Sequence, residues 1–273
     1  CADAGVEALG YIPKDESIVI PSRHLGLSID ETFCFDAFAD RVAEVIDKTV
    51  NVDRLLELCT VEFSGEQTEG VICSGNKKIA IARDEAFNFM YRENVEALKR
   101  AGEVVFFSPL HDKRLPDADL VYFPGGYPEL YLPELAANEG MRQAVRKYCE
   151  TGGRVLAECG GMMYLCDTIT SDDGKVYPMA GVLKQGATME QMKLKLGYRE
   201  VRVNGQRIRG HEFHYSRILP GHEKIPVIGT IYNAKDMVVD TPVYTYKNVL
   251  ASYIHFYWGE CGIDHFLMLM SQK

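Results

Sequence analysis

In the stretch Arg154-Val-Leu-Ala-Glu-Cys159-Gly-Gly-Met-Met-Tyr-Leu, an apolar run of buried-strand type leads straight into a cysteine, two glycines and an apolar helical pattern. A strand that turns at once into a helix leaves its corner residue in a strained backbone conformation with the side chain held out, which is the geometry of a nucleophile elbow. Cysteine suits that corner: the first N–H groups of the helix lack internal partners and the helix dipole favours negative charge, which stabilises thiolate. The glycines let a substrate carbonyl approach the backbone, where a freed N–H can hold an oxyanion. The plainer alternative is a structural cysteine at a strand end, since cysteine is among the most buried residue types. This segment alone leaves both readings open.

The surrounding sequence repeats one supersecondary theme. Lys78-Ile-Ala-Ile-Ala-Arg83 reads as a strand, and Phe87, Tyr91, Val95 and Leu98 mark one face of a helix that stops at Gly102. Val104–Phe107 and Leu120–Phe123 read as further short strands, followed by Pro124-Gly-Gly-Tyr-Pro-Glu129. A helix over Glu139–Glu150 turns Met141, Val145 and Tyr148 inward and ends at Gly152-Gly153. Strands alternating with helices at this spacing predict a doubly wound, mostly parallel α/β sheet with helices on both faces and ligands at the carboxyl ends of its strands. Both Pro124-Gly-Gly and Cys159 fall at such ends. After about Tyr177, short segments (195–203, 208–218, 227–231, 238–246) predict antiparallel strands appended to the sheet. The chain then runs through Val249-Leu-Ala-Ser-Tyr-Ile-His255 to a short helix at about 264–270.

The first 59 residues are different. Ala8–Pro13 reads as a strand, 32–47 as a helix with Phe35, Phe38 and Val42 at helical spacing, and 52–59 as a second helix. Residues 60–76 are polar and punctuated by glycine, which marks a linker and places a second domain at 77–273. Cysteine at position 1 and a first strand with nothing before it to pair with lead to the expectation of a C-terminal piece of a longer polypeptide.

Composition excludes several classes. A net charge of −9 without a basic cluster argues against nucleic acid or an anionic membrane as partner. No long uncharged apolar run and no leader pattern occur. Eight cysteines scattered without C-x-x-C pairs read as reduced thiols in a cytoplasmic protein, and neither as a disulfide framework nor as a zinc site.

A cysteine nucleophile needs a base. His255 follows a buried-strand run and is therefore expected at a strand's carboxyl end, as Cys159 is, where it can take the thiol proton and return it to a leaving amine. A lone histidine in an apolar run is more often a satisfied core residue. Joined to the elbow and to Pro124-Gly-Gly, the catalytic reading is the better one.

Four segments taken together, Tyr122-Phe-Pro-Gly-Gly-Tyr-Pro-Glu-Leu, Ala157-Glu-Cys-Gly-Gly-Met-Met-Tyr-Leu, Arg209-Gly-His-Glu-Phe-His-Tyr-Ser and Ala251-Ser-Tyr-Ile-His, resemble in order and spacing the cobyrinic acid a,c-diamide synthases. Those enzymes join an ATP-binding domain of dethiobiotin synthetase type to a class I glutamine amidotransferase domain. The likeness covers essentially all of 78–273. Residues 1–59, with Gly10-Tyr-Ile-Pro and Pro21-Ser-Arg-His-Leu-Gly-Leu, look like the end of the ATP-binding domain, whose phosphate loop would lie earlier.

The resemblance implies that Cys159 attacks the side-chain amide of glutamine, that His255 protonates the departing ammonia, and that backbone N–H groups near Gly126 and Gly160 form the oxyanion hole. Ammonia then passes inside the protein to the ATP domain, where ATP and Mg2+ serve the amidation of the a and c carboxylates of a corrinoid. Gly125, Tyr127, Glu129, Arg23, His24, Glu212 and His214 are the further candidates for binding glutamine or the acceptor; no metal ligands are assigned. On a strand, Glu212, His214 and Ser216 share the face opposite His211, Phe213 and Tyr215. Two positions depart from the wider class I pattern: Ala157 stands where a glycine is usual, and Tyr257 stands where a glutamate usually orients the imidazole. The alternatives are a diamide synthase for another tetrapyrrole such as nickel sirohydrochlorin, a hydrolase using the same elbow on small esters, and a non-catalytic binding module. A homodimer is left open.

Overall fold

A computed structural model describes residues 1–20, 22–23, 26–27, 33–61 and 75–259. Most of the expected linker, the helix at about 264–270, His24 and the side chain of Arg23 lie outside the described residues. Contacts between Cα atoms divide the chain into two compact units, 1–69 and 70–273.

In the first unit, β1 (Ser22–Arg23) pairs antiparallel with β2 (Gly26–Leu27), and the helices α1 (Phe35–Thr49) and α2 (Val52–Cys59) follow. Asn51 caps α2, its side chain accepting from Arg54 N at 3.0 Å, which satisfies one of the orphan donors of the first turn. The strand expected at 8–13 is reduced to one antiparallel bridge between Gly10 and Val50. Neither helix contains a buried residue.

The second unit is built on a six-stranded sheet. Its strands are β3 (Lys77–Ala82), β4 (Gly102–Phe107), β5 (Leu120–Phe123), β6 (Arg154–Glu158), β14 (Val243–Tyr246) and β15 (Val249–Ser252), in the order β14-β15-β6-β5-β3-β4. All neighbours are parallel except β14 against β15. The intervening helices are α3 (Arg92–Ala101), α4 (Leu132–Ala137), α5 (Glu139–Glu150) and α6 (Gly160–Leu165). A parallel sheet buried on both faces needs apolar residues at consecutive positions, and β3 and β5 supply them. Alternation then sorts them into two cores. Ala80, Val121, Val155 and Ala157 meet α4, α5 and α6 on one face, while Ile79, Tyr122, Leu156 and Leu250 meet α3 on the other.

That second face is also covered by an antiparallel sheet, where helices alone were expected. Strands β10 (Lys195–Val203), β11 (Gln206–His214), β13 (Thr230–Asn233) and β16 (Ile254–Phe256) stand in the order β13-β10-β11-β16, and Val201, Ile208, Ile231, Ile254 and Phe256 turn toward the parallel sheet. A third sheet, ordered β12-β9-β7-β8, is formed by β7 (Cys166–Thr170), β8 (Val176–Pro178), β9 (Leu183–Thr188) and β12 (Arg217–Leu219). The later β segments thus form sheets of their own, and only β14 extends the parallel one.

Two expectations are corrected in detail. The helix predicted from Phe87 begins at Arg92: Asp84 accepts the N–H groups of Ala86 and Phe87 at 2.9 and 3.1 Å, so Phe87 lies in a turn. Helix α4 and strand β7 carry too few residues for a clear period and were not foreseen. The run leading to His255 is not one strand, because it breaks at Tyr253: β15 ends at Ser252, and His255 belongs to β16 in another sheet.

Candidate active site

Cys159 stands at the corner between β6 and α6 with φ 46° and ψ −109°. A positive φ at a non-glycine residue is strained and persists only where the surroundings over-determine it. Here the Cys159 N–H donates to Ser252 O at 2.8 Å and Gly161 N–H to Pro124 O at 3.1 Å, which fixes the corner from β15 on one side and from the β5 turn on the other. A side chain at Gly160 would strike Pro128 and the Gly126 carbonyl, so α6 can lie against the Pro124–Gly126 turn only with glycine there. The thiol is 7% exposed and sits 3.9 Å from the Phe213 carbonyl of β11.

Burial governs this thiol. Desolvation pushes it well above the usual cysteine range, the carboxyls of Glu129, Glu158 and Glu212 push the same way, and the Gly160 N–H alone pulls down. The stabilisation of thiolate expected from the helix end is outweighed by burial: α6 has only six residues, and its dipole does not offset the loss of water. At rest the group is a neutral thiol.

His255 is 4% exposed. Its ring stacks on His211 with centroids 4.8 Å apart and planes 17° from parallel, and Phe89 meets it edge-on at 4.6 Å. Any side chain at Gly125 would collide with its Cε1. Desolvation, with His211 and His214 nearby, lowers its pKa to about 3, so the imidazole is a neutral base. Its Nδ1 has no hydrogen-bond partner among the described residues. His211 is fixed in turn by the Tyr91 hydroxyl, 2.6 Å from its Nδ1, and Tyr257 packs edge-on against Tyr91. Of the two expected oxyanion donors, Gly126 lies at the same turn and Gly160 opens α6 against it: Gly125 O accepts from Phe89 N at 3.0 Å and Tyr127 N donates to Ala86 O at 2.9 Å, and neither bond uses the Gly126 N–H. Cys159 and His255 thus pack against a single turn, the one through Gly160 at Gly126 and the other through its ring at Gly125.

Glu129 and Tyr127 flank the thiol electrostatically. Desolvation raises the Glu129 carboxyl to about 7, and Tyr127 is raised by burial, Glu129 and Cys159. Glu212 and His214 are placed differently. The alternation expected of 211–216 is present, and Glu212, His214 and Ser216 are all buried. Glu212 accepts from Arg199 Nε at 2.7 Å and Thr241 Oγ1 at 2.9 Å, and its other oxygen lies 2.8 Å from His214 Nε2. These partners hold its carboxyl down at about 2 against the desolvation that opposes them. His214 also approaches the Ser216 carbonyl at 2.7 Å and stacks on Tyr253, centroids 3.5 Å apart. Both side chains are thus already engaged inside the protein. Among the described residues, no group of three or more histidine, cysteine, aspartate or glutamate side chains is placed to hold a metal ion.

Sequence reasoning passed over Glu158, Tyr122, Asn94, Phe89 and the Phe213 carbonyl. Glu158 alone left a signal, a carboxylate inside a buried strand. Its carboxyl accepts from the Tyr122 hydroxyl at 2.8 Å and from Phe256 N at 3.2 Å.

The chain is 34% identical over 267 residues to the cobyrinate a,c-diamide synthase of Salmonella typhimurium, covering 92% of this chain and 58% of that protein. It is 36% identical over 264 residues to the hydrogenobyrinate a,c-diamide synthase of Pseudomonas aeruginosa, covering 94% of this chain and 58% of that one. The chain therefore spans a little under three-fifths of the length of these relatives. The structure of PurLQS from Thermotoga maritima aligns with a TM-score of 0.47 at 17% identity, over 71% of this chain and 96% of that one. Residues 78–261 match the model of the CobB/CobQ-like glutamine amidotransferase domain, and the chain belongs to that family.

Proposed function

We propose that this chain carries the glutaminase half of an ATP-driven amidating ligase that converts the a and c carboxylates of a cobyrinate-type tetrapyrrole to amides. The observation that carries the reading is the strained Cys159 corner with the Gly160 N–H turned toward its thiol, beside a turn that also seats a buried neutral histidine. His255 takes the thiol proton as Cys159 Sγ attacks the side-chain carbonyl of glutamine. The N–H groups of Gly160 and Gly126 receive the negative oxygen. Collapse breaks the C–N bond, the proton passes from His255 to the leaving nitrogen, and ammonia departs. Water then attacks the thioester with His255 again as base, giving glutamate and restoring the thiol. Glu129, with its carboxyl raised to about 7, would meet the α-ammonium of glutamine, a charge that draws it to the ionised form.

The names of the relatives support the acceptor class. Among the described residues of 1–61 neither a glycine-rich turn entering a helix nor a group of carboxylates fit for a metal occurs. The relatives extend well beyond the part this chain spans, and ATP and Mg2+ held on such a part would supply activation of the acceptor carboxylate; no step at Cys159 runs through them.

Trapping with 6-diazo-5-oxo-norleucine, read by intact mass, tests the site. One adduct is expected, absent in Cys159→Ser and formed at least tenfold more slowly in His255→Ala. Labelling that survives Cys159→Ser would overturn the assignment. For the acceptor, glutamine-dependent amidation of cobyrinate by the full-length polypeptide with ATP and Mg2+ is the expected outcome.

A further inference from the structure

The imidazole of His255 lacks the usual support. Tyr257 occupies the sequence position, two residues on, where class I amidotransferases usually carry a glutamate, and the His255 Nδ1 has no partner among the described residues. Its ring is held by packing, between His211, Phe89 and the space left by Gly125. Packing fixes the plane of a ring only if the backbone beneath is itself fixed, and β16 is three residues long.

What fixes it is a set of buried side chains from the parallel sheet. Glu158, the last residue of β6 and the neighbour of Cys159, accepts the N–H of Phe256, the neighbour of His255, at 3.2 Å. The carbonyl of the same Phe256 accepts from Asn94 Nδ2 at 2.7 Å, and Asn94 Oδ1 accepts the Trp258 N–H at 2.9 Å. Tyr122 on β5 donates to the second oxygen of Glu158 at 2.8 Å. Glu158, Asn94, Tyr122, Phe256 and Trp258 are all within about 1% of complete burial, so these bonds form in low dielectric, where they are strong and where a missing partner is costly.

We propose that Glu158 is the positioning residue of this site, its carboxyl tying the residue after the base to the residue before the nucleophile and so setting the approach of His255 to Cys159. The proposal rests on the Cys-His reading above. The carboxyl does not reach the imidazole; it acts through the peptide of Phe256. Burial raises it to about 8, so at neutral pH it is mainly a protonated acid, one oxygen accepting from Phe256 and the other paired with the Tyr122 hydroxyl. A glutamine amide has the same shape, its oxygen accepting from Phe256 and its Nε2 donating to the Tyr122 oxygen as the protonated acid can, whereas alanine makes neither contact.

The test uses the full-length polypeptide. Glutaminase kcat and the KM for glutamine are measured for the parent, Glu158→Gln, Glu158→Ala and Tyr122→Phe, with thermal melting and intact-mass trapping of Cys159 on each. Glu158→Ala is expected to lower kcat about 30-fold or more with KM within about threefold, and Glu158→Gln to restore kcat to within about threefold of the parent. Should Glu158→Ala fail to fold, Tyr122→Phe, which keeps the carboxyl but removes one of its bonds, is expected to lower kcat about three- to tenfold at unchanged KM. A folded Glu158→Ala protein with parental kcat, or one whose loss lies in KM, would overturn the proposal. So would a Glu158→Gln protein as slow as Glu158→Ala. If the parent itself gives no adduct at Cys159, the failure belongs to the Cys-His reading, and trapping separates the two.

Discussion

At Cys159 and His255 the surroundings work against charge on either partner. The thiol is pushed up by burial and by three carboxyls, and the imidazole is pushed down to about 3 by burial and by two neighbouring histidines. In the proposed reaction a neutral thiol and a neutral imidazole would form their ion pair only as a carbonyl arrives, when the proposed oxyanion donors would take the charge. The His255 Cε1 proton resonance is accordingly expected not to move between pH 5 and 8; a titration centred near 6.5 would show the ring to be solvated and the neutral pair to be wrong. Gly125 has its own role at this scale. Its missing side chain is where the imidazole sits, so Gly125→Ala is expected to slow trapping of Cys159 by at least 100-fold while melting within a few degrees of the parent.

Among the elements, β11 does two jobs at once. Its outer face carries His211 beneath His255, and its inner face carries Glu212 and His214 into a largely buried cluster with Arg199 and Thr241. Removing one member of such a cluster leaves a charge uncompensated, which costs about 3 to 5 kcal/mol. For a domain of this size that corresponds to a fall in Tm of roughly 6 to 20 °C, the loss expected for Glu212→Ala and measurable by calorimetry. A change of only a degree or two would mean that water reaches the site. The alternation along 211–216 is legible in the residues because a strand has a period of two and one face must be apolar or paired. That Glu212 is matched by an arginine thirteen residues earlier is not legible, because the β10–β11 register decides it.

For the molecule as a whole, the balance of shifted groups sets how stability follows pH. Glu158 and Glu129 have folded-state values near 8 and 7, above the ordinary 4.5, so the unfolded chain loses their protons first. Their contribution is complete below about pH 4.5 and is lost as pH rises through about 8. Glu212 at about 2 and His255 at about 3 act oppositely: their contributions are present above the ordinary values of 4.5 and 6.5 and are lost as the medium is acidified. Replacing Glu158 by glutamine removes one of the two alkaline-side losses, so the Tm of Glu158→Gln relative to the parent is expected to climb between pH 5 and 8. Parallel curves would show that Glu158 is ionised in the folded protein.

Local sequence determined what local periodicity can encode. The strand–helix alternation from residue 78 to 165, the helix over Glu139–Glu150, the corner at Cys159 and the alternating faces of 211–216 all follow from spacing, because the periods of strand and helix are properties of a few consecutive residues. Tertiary structure decided everything that depends on pairing between distant segments. The break at Tyr253 exists because Ser252 closes β15 beside β6 while Ile254–Phe256 is claimed by β11, and this moved His255 from the end of one sheet into another. The charge state of the thiol was decided by how much water the packed chain removes, a quantity with no local signature. The tie from Glu158 to Phe256 joins residues 98 apart in the chain, and it exists only once one sheet has been laid across the other.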